Sequence, residues 1–521
     1  MEDGFLSSPP EVRVLTMLDC PYETAVAAAQ TCYSSRGIVT AQEVAQGDPK
    51  ARDRIARSIY AGGHHTTFQH GYVQFALRNV SRQFLWTFLH SHTFYNSEQV
   101  SQRYVPVAPE AFAVPPLTGE AKRVYMAGVA AQIDAYHRLV DLLGPPVEAA
   151  YAQRFPNRVG SKAGANQMHR KALEVARYVL PVAMFACLYH TVNTLTVLRY
   201  WRLCQQPGAP LETRAVVGRM VDALVAADPP LANILEEPLP PTAEGMPELG
   251  ALAAFGSGTP ESARDFAREF DAALNGRVSR LVAAKPDNVA LVAQAVRTAL
   301  GFPRAALSDA DAVAVALSPA RNPHLAGALN LTTLSRLSRA LYHAHYTFYK
   351  KLSHTADSQN QRHRMTPATR PVVSAYLGDV LDYVTPALVK QDATLQRFYD
   401  ETMAQIWERL GRLKRLGVPD AFRVYLLPNA VTVRLVESAD LLNLRHKLAM
   451  RLCYNAQAEI WRAAVDEAQQ VRAIDPELGS YLLPPCGLRA LADEQPRCPE
   501  GARYCGVPVW KLDLKAYERL I

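Results

Sequence analysis

The sequence lacks long apolar runs. No stretch reaches the ~18 uninterrupted apolar residues that suggest a membrane-spanning helix. Residues 1–20 also lack the basic start and apolar core of a signal peptide. The eight cysteines are scattered over 521 residues, which favours reduced thiols in a cytoplasm over a disulfide framework. These absences predict a cytoplasmic protein without a membrane segment.

A dense basic stripe is also missing, which argues against nucleic acid as the partner. The net charge is only +7, from 56 Lys and Arg against 49 Asp and Glu, and it fits small anionic ligands such as phosphates. The hydrophobic content of 49% and the charged content of 20% are typical of globular proteins. The length favours two or three domains.

An internal repeat is the clearest feature of the chain. Pro181–Glu212 aligns without gaps to Pro428–Glu459, and Ala209 matches Ala456. Both segments are largely apolar with helical spacing, so we expect long buried helices in each. Ungapped agreement over this length indicates duplication.

Weaker matches extend the repeat, with offsets that indicate loops of different length. They pair 25–31 with 290–298, Thr66-Thr67 with Thr332-Thr333, and Val80-Ser81 with Leu352-Ser353. The segment from Pro229 to about Ser262 is rich in Pro, Gly and Ala and poor in helical pattern. We therefore predict an N-terminal domain at 8–230, a linker at 231–262, a C-terminal domain at 263–475 and a Cys-containing tail at 476–521.

Three polar features could carry chemistry. The first is Arg362-His363-Arg364, where two guanidinium forks flanking an imidazole suit an anion or a flavin edge. A solvated basic turn is the alternative. The second is Ser101-Gln102-Arg103-Tyr104, whose hydroxyl, amide and guanidinium could hold a phosphate and a pyrimidine edge. A polar loop entering a strand at 105–107 is the alternative.

The third feature is a pair of arginines, Arg434 and Arg451, in the repeated C-terminal segment. Arg434 lies in a mostly apolar stretch, and arginine is seldom fully buried without a partner. An anionic ligand is one explanation. An ion pair with a carboxylate such as Glu437 or Asp440 is the other.

Together these features resemble the flavin-dependent thymidylate synthases. In the N-terminal half the resemblance rests on HHTTFQH at 64–70, with His64 and Thr66, on VSRQ at 80–83 and on SQRYV at 101–105. In the C-terminal half it rests on RHR at 362–364, LLPNAVTVR ending at Arg434, and Arg451 before AQAEI at 456–460. The motifs are short, but their order and spacing are specific.

The resemblance implies an α+β fold class, with two tandem domains that each have long core helices and a mixed α/β part. It also implies the reaction: reductive methylation of deoxyuridine monophosphate (dUMP) to thymidylate (dTMP). FAD is the implied cofactor, and NADPH and methylenetetrahydrofolate are the implied co-substrates.

Site residues follow from the same resemblance. Arg451 and Ser101 are the predicted catalytic residues, with Ser101 binding substrate and not acting as a covalent nucleophile. The predicted substrate-binding residues are Ser101, Gln102, Arg103, Arg434 and Arg451. The predicted flavin-binding residues are His64, Thr66, Arg362, His363 and Arg364.

Each half departs from the family pattern. The N-terminal half has His90-Ser91-His92 in place of Arg-His-Arg, and Cys187 and Cys204 in place of the two later arginines. The C-terminal half lacks the Ser-x-Arg-Tyr loop, and Asn330 and Thr332 stand in its His-x-Thr element. The losses are complementary. They suggest composite sites shared between halves, in a homodimer that forms a pseudo-tetramer.

Two alternatives remain open. The chain could instead be a catalytically degenerate homologue that binds a nucleotide or a protein partner. Cys486, Cys498 and Cys505 in the tail could bind zinc, but without a closely spaced pair or an obvious fourth ligand we predict no metal site. Cys32 and Cys453 are expected to be core thiols.

Overall fold

The computed structural model describes residues 4–89, 94–156, 159–236, 247–254, 260–327, 335–377 and 380–519. Two compact units form. Unit 1 comprises residues 1–133, 180–258 and 408–427, and unit 2 comprises 134–179, 259–407 and 428–521. Each unit therefore contains most of one sequence half and a shorter segment of the other. The domain boundaries drawn from the sequence remain predictions.

Unit 1 is built on a four-stranded antiparallel sheet of order β1-β2-β4-β3. One face packs on a core that includes Phe75, Leu77 and Val192. Along β4, Ala186 and Leu188 are buried while Cys187 and Tyr189 are exposed, the alternation of a half-buried strand. The strands are β1 (Glu11–Met17), β2 (Tyr72–Ser81), β3 (Asn96–Gln99) and β4 (Phe185–Asn193).

Helices of the first half begin with α1 (Pro21–Thr31), whose Ala25 and Val26 are fully buried. The longest is the 36-residue α5. The set is α1, α2 (Ala41–Gln46), α3 (Pro49–Ala61), α4 (Arg82–Leu89), α5 (Gly119–Arg154), α6 (Lys162–Ala176), α7 (Thr194–Cys204), α8 (Leu211–Ala227) and α9 (Pro247–Ala254).

Unit 2 repeats the sheet, again four-stranded and antiparallel, in the order β5-β6-β8-β7. Its core includes Tyr346, Phe348 and Leu444. The strands are β5 (Ser279–Ala284), β6 (His345–Ser353), β7 (Ala368–Thr369) and β8 (Thr432–Asp440). Two sheets of matching order, each with helices packed on it, confirm the predicted α+β class and are consistent with two tandem domains.

The remaining helices follow in chain order. They are α10 (Pro260–Leu274), α11 (Asn288–Leu300), α12 (Asp309–Leu317), α13 (Arg336–Arg339), α14 (His354–Asn360), α15 (Ala387–Lys390), α16 (Ala393–Arg415), α17 (Asp420–Arg423), α18 (Leu441–Arg451), α19 (Ala458–Ile474), α20 (Pro476–Gly479) and α21 (Pro485–Leu491). In the part of the chain described above, no helix combines the length and apolar character needed to cross a membrane.

The repeated segments are not the long helices we expected. Each begins with a strand, β4 or β8, and continues into helix only at Thr194 or Leu441. Short apolar runs do not distinguish a buried strand from a buried helix. The β-branched residues of TVRLV in β8 favour the strand that forms there.

The segment predicted to be a linker, 231–262, includes α9, and α10 begins at Pro260; the linker itself stays a prediction. One further expectation is wrong. Residues 105–107 do not form a strand; the Ser101–Tyr104 loop instead follows strand β3.

The two units also share a matching set of buried hydrogen bonds. In unit 1 the Glu212 carboxylate accepts bonds from Ser81, at 2.7 Å from the backbone N–H and 2.6 Å from the hydroxyl. The Tyr425 hydroxyl donates a third bond at 2.7 Å. Tyr425 belongs to the C-terminal half of the sequence, so this half contributes to the core of unit 1.

Unit 2 has the same arrangement with the halves reversed. Glu459 accepts bonds from Ser353, at 2.6 Å from the N–H and 2.7 Å from the hydroxyl. Tyr178, from the N-terminal half, donates at 2.6 Å. The exchanged tyrosines show that the two halves are equivalent in packing as well as in strand order.

Candidate functional site

Arg451, at the end of α18, is held against the Arg-His-Arg motif. Asp440 precedes the helix, and its side chain caps it by accepting the Asn443 N–H at 3.0 Å. At its other end, Arg451 Nε donates to His363 Nε2 at 2.8 Å, and Nη2 donates to the Gln359 carbonyl at 3.0 Å. Unit 2 thus brings a predicted substrate residue and a predicted flavin residue into direct contact.

His363 is a neutral hydrogen-bond acceptor in this contact. Burial lowers the pKa of His363 to about 2, and the charges of Arg451 and Lys447 and the neighbouring His446 add to the effect. A protonated ring could not accept the Arg451 N–H, so geometry and charge agree. The imidazole therefore orients the guanidinium without neutralising it.

The Arg-His-Arg turn is positioned by α14. Ser353 caps this helix by accepting the Ala356 N–H at 3.1 Å, and the His363 N–H bonds the Asn360 carbonyl at 3.1 Å just past its end. Arg362 is exposed and Arg364 is half-buried. Two guanidiniums of graded exposure on either side of a fixed imidazole suit an anionic or flavin-like ligand.

Arg434 lies on β8, not on a helix as we expected, and it is fully paired. Asp271 on α10 accepts from Nε at 2.9 Å and from Nη2 at 2.8 Å. Asp382 accepts from Nη1 at 2.6 Å. The Arg434 side chain is only 7% exposed. An ion pair does explain this arginine, but the partners proposed from the sequence were wrong.

Those two carboxylates lie elsewhere. Glu437 belongs to the buried side of β8, where Lys350 on β6 donates to it at 2.5 Å, while Asp440 caps α18. Side chains three residues apart on a strand point to opposite faces, so Glu437 could not reach Arg434. Helix α10 supplies a partner instead, and Asp271 also binds Lys351 at 2.6 Å.

A buried ionic cluster supports the site-bearing elements of unit 2. Lys350 and Lys447 each pair with both Glu437 and Glu467, and Asn360 donates to Glu437 Oε2 at 2.7 Å. Burial raises the pKa of Glu437, but the two ammonium groups outweigh it and hold the pKa at about 2. No sequence pattern indicated this cluster, because Lys350 is distant along the chain from the other three charged residues.

Unit 1 contains the Ser-Gln-Arg-Tyr loop. The Ser101 hydroxyl accepts the Arg103 N–H at 3.2 Å, Gln102 is buried, and the Arg103 guanidinium lies 5.4 Å from the centre of the Tyr104 ring. Arg82 shapes the loop by donating to the Val100 carbonyl at 2.8 Å. The hydrogen bonds make Arg82 a residue of the site that our prediction omitted.

A cavity of about 390 Å³ adjoins this loop, within the range of small-molecule pockets. Its lining includes Ser101, Gln102, Arg78, Arg82 and Cys187. Four of these side chains, those of Ser101, Gln102, Arg78 and Arg82, are polar donors, and Cys187 occupies the position that corresponds to Arg434. The cavity is therefore suited to a polar, anionic ligand.

The other predicted flavin contacts, His64 and Thr66, are exposed at a short 3₁₀ turn in unit 1. His90, Ser91 and His92, and likewise Asn330 and Thr332, lie outside the described residues. The predicted site residues thus separate into two sets. Unit 1 contains His64, Thr66 and Ser101–Arg103, and unit 2 contains Arg362–Arg364, Arg434 and Arg451.

The cysteines at the former arginine positions differ from each other. Cys187 is exposed on β4, whereas Cys204 is buried at the end of α7. Burial raises the pKa of Cys204 to about 11, so it is an inert thiol. The expectation that Cys32 is a core thiol is wrong, because it is exposed.

Comparison with solved structures finds a UMP/dUMP methylase, PolB from Streptomyces cacaoi, bound with 5-Br dUMP. The two sequences are 18% identical. The structural match covers 43% of this chain and 93% of PolB, with a TM-score of 0.32. That score is too low to support an argument about fold or function.

Curated relatives are more informative. The flavin-dependent thymidylate synthase of Clostridium tetani is 24% identical over 247 residues, covering 47% of this chain and 92% of that enzyme. The enzyme of the same name from Sulfurisphaera tokodaii is 29% identical over 150 residues, 28% of this chain. The chain spans only 57% of the length of the S. tokodaii enzyme.

The family model described as "Thymidylate synthase complementing protein" matches the chain twice, at residues 13–230 and 280–477. The two matches cover most of the sequence and coincide with the two repeats. The chain is therefore a member of the flavin-dependent thymidylate synthase family, and the family model matches two regions of this chain.

Proposed function

We propose that this protein is an FAD-dependent thymidylate synthase, a methyltransferase that converts dUMP to dTMP with methylenetetrahydrofolate and NADPH. One observation carries the proposal: Arg451 donates to His363 at 2.8 Å, which joins the predicted substrate-binding helix to the predicted flavin-binding turn. Family membership over both halves supports the same reaction class. The cytoplasm is the location that we propose for it.

The residues of unit 2 fit a flavin. Arg362 and Arg364 offer forked donors, and His363, held neutral by its buried surroundings, keeps a second arginine in place. FAD bound there would supply hydride to the substrate carbon. His64 and Thr66 would contact the flavin from the other half of the fold.

Arg451 would act on the pyrimidine. Because its Nε and one Nη2 hydrogen are directed to protein acceptors, the guanidinium is fixed in orientation while its charge is kept. A preorganised cation stabilises negative charge that develops on a substrate ring. Ser101 and Gln102 would bind the pyrimidine or phosphate through hydroxyl and amide groups.

The phosphate would bind to Arg103 and Arg434. For Arg434 this requires an exchange of partners, because Asp271 and Asp382 already satisfy its guanidinium. A phosphate carries more charge than a carboxylate and accepts the same bidentate hydrogen bonds. We therefore propose that nucleotide binding displaces at least one of these aspartates.

Composite sites are part of the proposal. The losses of the two halves are complementary, and a homodimer that forms a pseudo-tetramer would let one half supply the Ser-Gln-Arg-Tyr loop and the other the arginines. Replacing Arg103 or Arg451 by Ala should then abolish dUMP binding in either case. Arg57→Ala and Arg336→Ala, at exposed positions in units 1 and 2, serve as matched controls. Normal dUMP binding by Arg103→Ala would exclude sharing.

Flavin binding tests the enzyme itself. The purified protein should be yellow, and added FAD should raise its melting temperature, since a ligand that binds only the folded state stabilises it. With all substrates present, dTMP formation should be detected by chromatography. A colourless protein whose melting temperature is unaffected by FAD would refute the proposal.

A second candidate is a catalytically degenerate homologue that binds a nucleotide or a protein partner. The observation in its favour is the saturated Arg434, together with Cys187 and Cys204 at the corresponding positions of the other half. This candidate predicts nucleotide binding, seen by calorimetry, without dTMP formation under any flavin condition. Turnover that is lost in Arg451→Ala but kept in Arg336→Ala would exclude it.

A further inference from the structure

Four cysteines of unit 2 line one small cavity. It has a volume of about 20 Å³, enough for a single water-sized atom. Cys453 follows α18, Cys486 lies on α21, and Cys498 and Cys505 lie in the loops beyond. The tail cysteines noticed in the sequence thus gain the fourth partner that seemed to be missing, and that partner is Cys453.

The fold brings these residues together through the return of the tail to the end of α18. Asn455 Nδ2 donates to the Arg503 carbonyl at 2.7 Å, and the Tyr454 and Tyr517 rings are 6.0 Å apart. Gly506, beside Cys505, has a φ of +77°, and a Cβ there would lie 2.3 Å from the Phe155 ring. Only glycine permits this approach, so the position of Cys505 is tightly specified.

We propose that Cys453, Cys486, Cys498 and Cys505 bind one Zn²⁺ as a closed, four-thiolate structural site. Four cysteine ligands without an open position are characteristic of structural zinc, with Zn–S distances of about 2.3 Å. No zinc ligand set of this kind is part of the flavin or nucleotide chemistry proposed above, so this site stands independently of it.

The sulfurs must turn inward to reach the metal. Within the described ranges, no three His, Cys, Asp or Glu side chains are already arranged to hold a metal ion, and all four thiols are free of disulfides. A change between staggered χ1 rotamers moves a cysteine sulfur by roughly 3 Å without moving the backbone. All four residues already border the same cavity, so the proposal requires rotation of these side chains and no rearrangement of the chain.

A dication bound in this cavity would deprotonate the four thiols that border it, because cysteine binds metals as the thiolate.

The metal would link two parts of unit 2. Cys453 lies two residues beyond Arg451, so zinc would fasten the C-terminal tail to the helix end that carries this arginine. Metal binding to a preformed fold contributes folding free energy directly. Loss of zinc should therefore loosen the tail first, before the sheet of unit 2 is affected.

Zinc content of the full-length chain tests the proposal. Protein purified from zinc-supplemented cells without chelators should contain one zinc per chain by mass spectrometry. Cys498→Ser and Cys505→Ser should lose it, whereas Cys32→Ser, at an exposed position of unit 1, should retain it. Since the serine variants could misfold, wild-type protein reconstituted with Co²⁺ provides a second measurement. Its spectrum should show thiolate-to-cobalt charge transfer and tetrahedral d–d bands.

Thiol counting completes the test. Under native conditions zinc should protect four thiols from alkylation, and a chelator should expose them. Metal-free wild-type protein, an octahedral Co²⁺ spectrum, or four thiols that become reactive only after reduction would each overturn the proposal. The last result would show that the cysteines form disulfides instead.

Discussion

The two units place opposite chemistry at equivalent core positions. In unit 2, Lys350 and Lys447 pair with Glu437 and Glu467, all four fully buried. The ungapped repeat places His190, Tyr200 and Met220 of unit 1 where unit 2 has Glu437, Lys447 and Glu467. The strand register shows that Leu77 is the counterpart of Lys350. Leu77 pairs with Leu188, and Lys350 pairs with the corresponding residue Leu435.

In the unit 1 cluster, aromatic rings pack together and a hydrogen bond joins two of the side chains. His190 Nε2 lies 3.0 Å from the Tyr200 hydroxyl. Phe88 contacts both, with ring centroids 5.3 Å from His190 and 4.5 Å from Tyr200. Phe88 corresponds to Asn360, which donates to Glu437 in unit 2. One fold therefore accepts either an ionic or an aromatic solution at this place.

The difference follows the predicted site. In unit 2 the ionic cluster joins β8, α14 and α18, the elements that carry Arg434, the Arg-His-Arg turn and Arg451. In unit 1, Cys187 and Cys204 replace the arginines. A buried ion cluster adds little stability compared with apolar packing, and position-specific pairing is its better-attested role. We infer that the cluster orients the site, and that it was dispensable where the arginines were lost.

Breaking the ionic cluster should have the largest effect. Glu437→Gln leaves two buried ammonium groups with one carboxylate, which should cost about 3–5 kcal/mol of unfolding free energy. Denaturant titration measures this, and Glu401→Gln on the exposed side of α16 should change stability by less than about 0.5 kcal/mol. If Glu437→Gln lowered the unfolding free energy by no more than the control, the two lysines would not depend on Glu437 for charge compensation.

Replacing the whole cluster sharpens the comparison. The variant Lys350→Leu, Glu437→His, Lys447→Tyr and Glu467→Met gives unit 2 the side chains of unit 1. Its stability should be unchanged or up to about 4 kcal/mol higher, as for other buried ion clusters. Affinity for FAD should fall if the cluster orients Arg451 and the Arg-His-Arg turn. Full affinity in a well-folded variant would refute that role.

The exchanged tyrosines offer a closer comparison. Tyr178→Phe and Tyr425→Phe each remove a bond to a buried glutamate, which should cost about 1.5–3 kcal/mol where the acceptor is ionised. Tyr178→Phe should cost more, because Gln457 Nε2 also donates to the Tyr178 hydroxyl at 2.8 Å. In unit 1 the residue that corresponds to Gln457 is Pro210, which has no side-chain amide. Tyr425→Phe therefore leaves no amide of this kind without a hydrogen-bond partner. Equal losses in denaturant titration would contradict this reading of the asymmetry.

Much of the architecture was predictable from the sequence. The ungapped repeat predicted a duplication, and the resemblance that rests on the order of the motifs implied an α+β fold. The strands β4 and β8 were missed because their apolar runs fit a buried helix equally well. The exchange of 134–179 and 408–427 between the units has no local signal, since it depends on packing.

The site shows the same limit. Arg451 and His363 belong to one motif set, and the structure brings them into contact. The partners of Arg434 could not be found by inspecting nearby carboxylates, because Asp271 and Asp382 are 163 and 52 residues away. Cys453 likewise looked like an isolated core thiol until the tail was seen to return to it. Local chemistry was readable, but long-range partners were not.

The smallest effect is expected in the unit 1 cluster. Tyr200→Phe removes the bond to His190 but keeps the ring that packs on Phe88, so it should cost about 0.5–1.5 kcal/mol, the worth of one neutral hydrogen bond. Tyr33→Phe, at a side chain that is 93% exposed, is the control. Denaturant titration measures the unfolding free energy of both variants, so the losses in Tyr200→Phe and Glu437→Gln can be compared directly. If Tyr200→Phe cost as much as Glu437→Gln, the hydrogen bond and not ring packing would hold the unit 1 cluster. The two units would then not differ as proposed, with aromatic packing in the cluster of unit 1 and ion pairing in the cluster of unit 2.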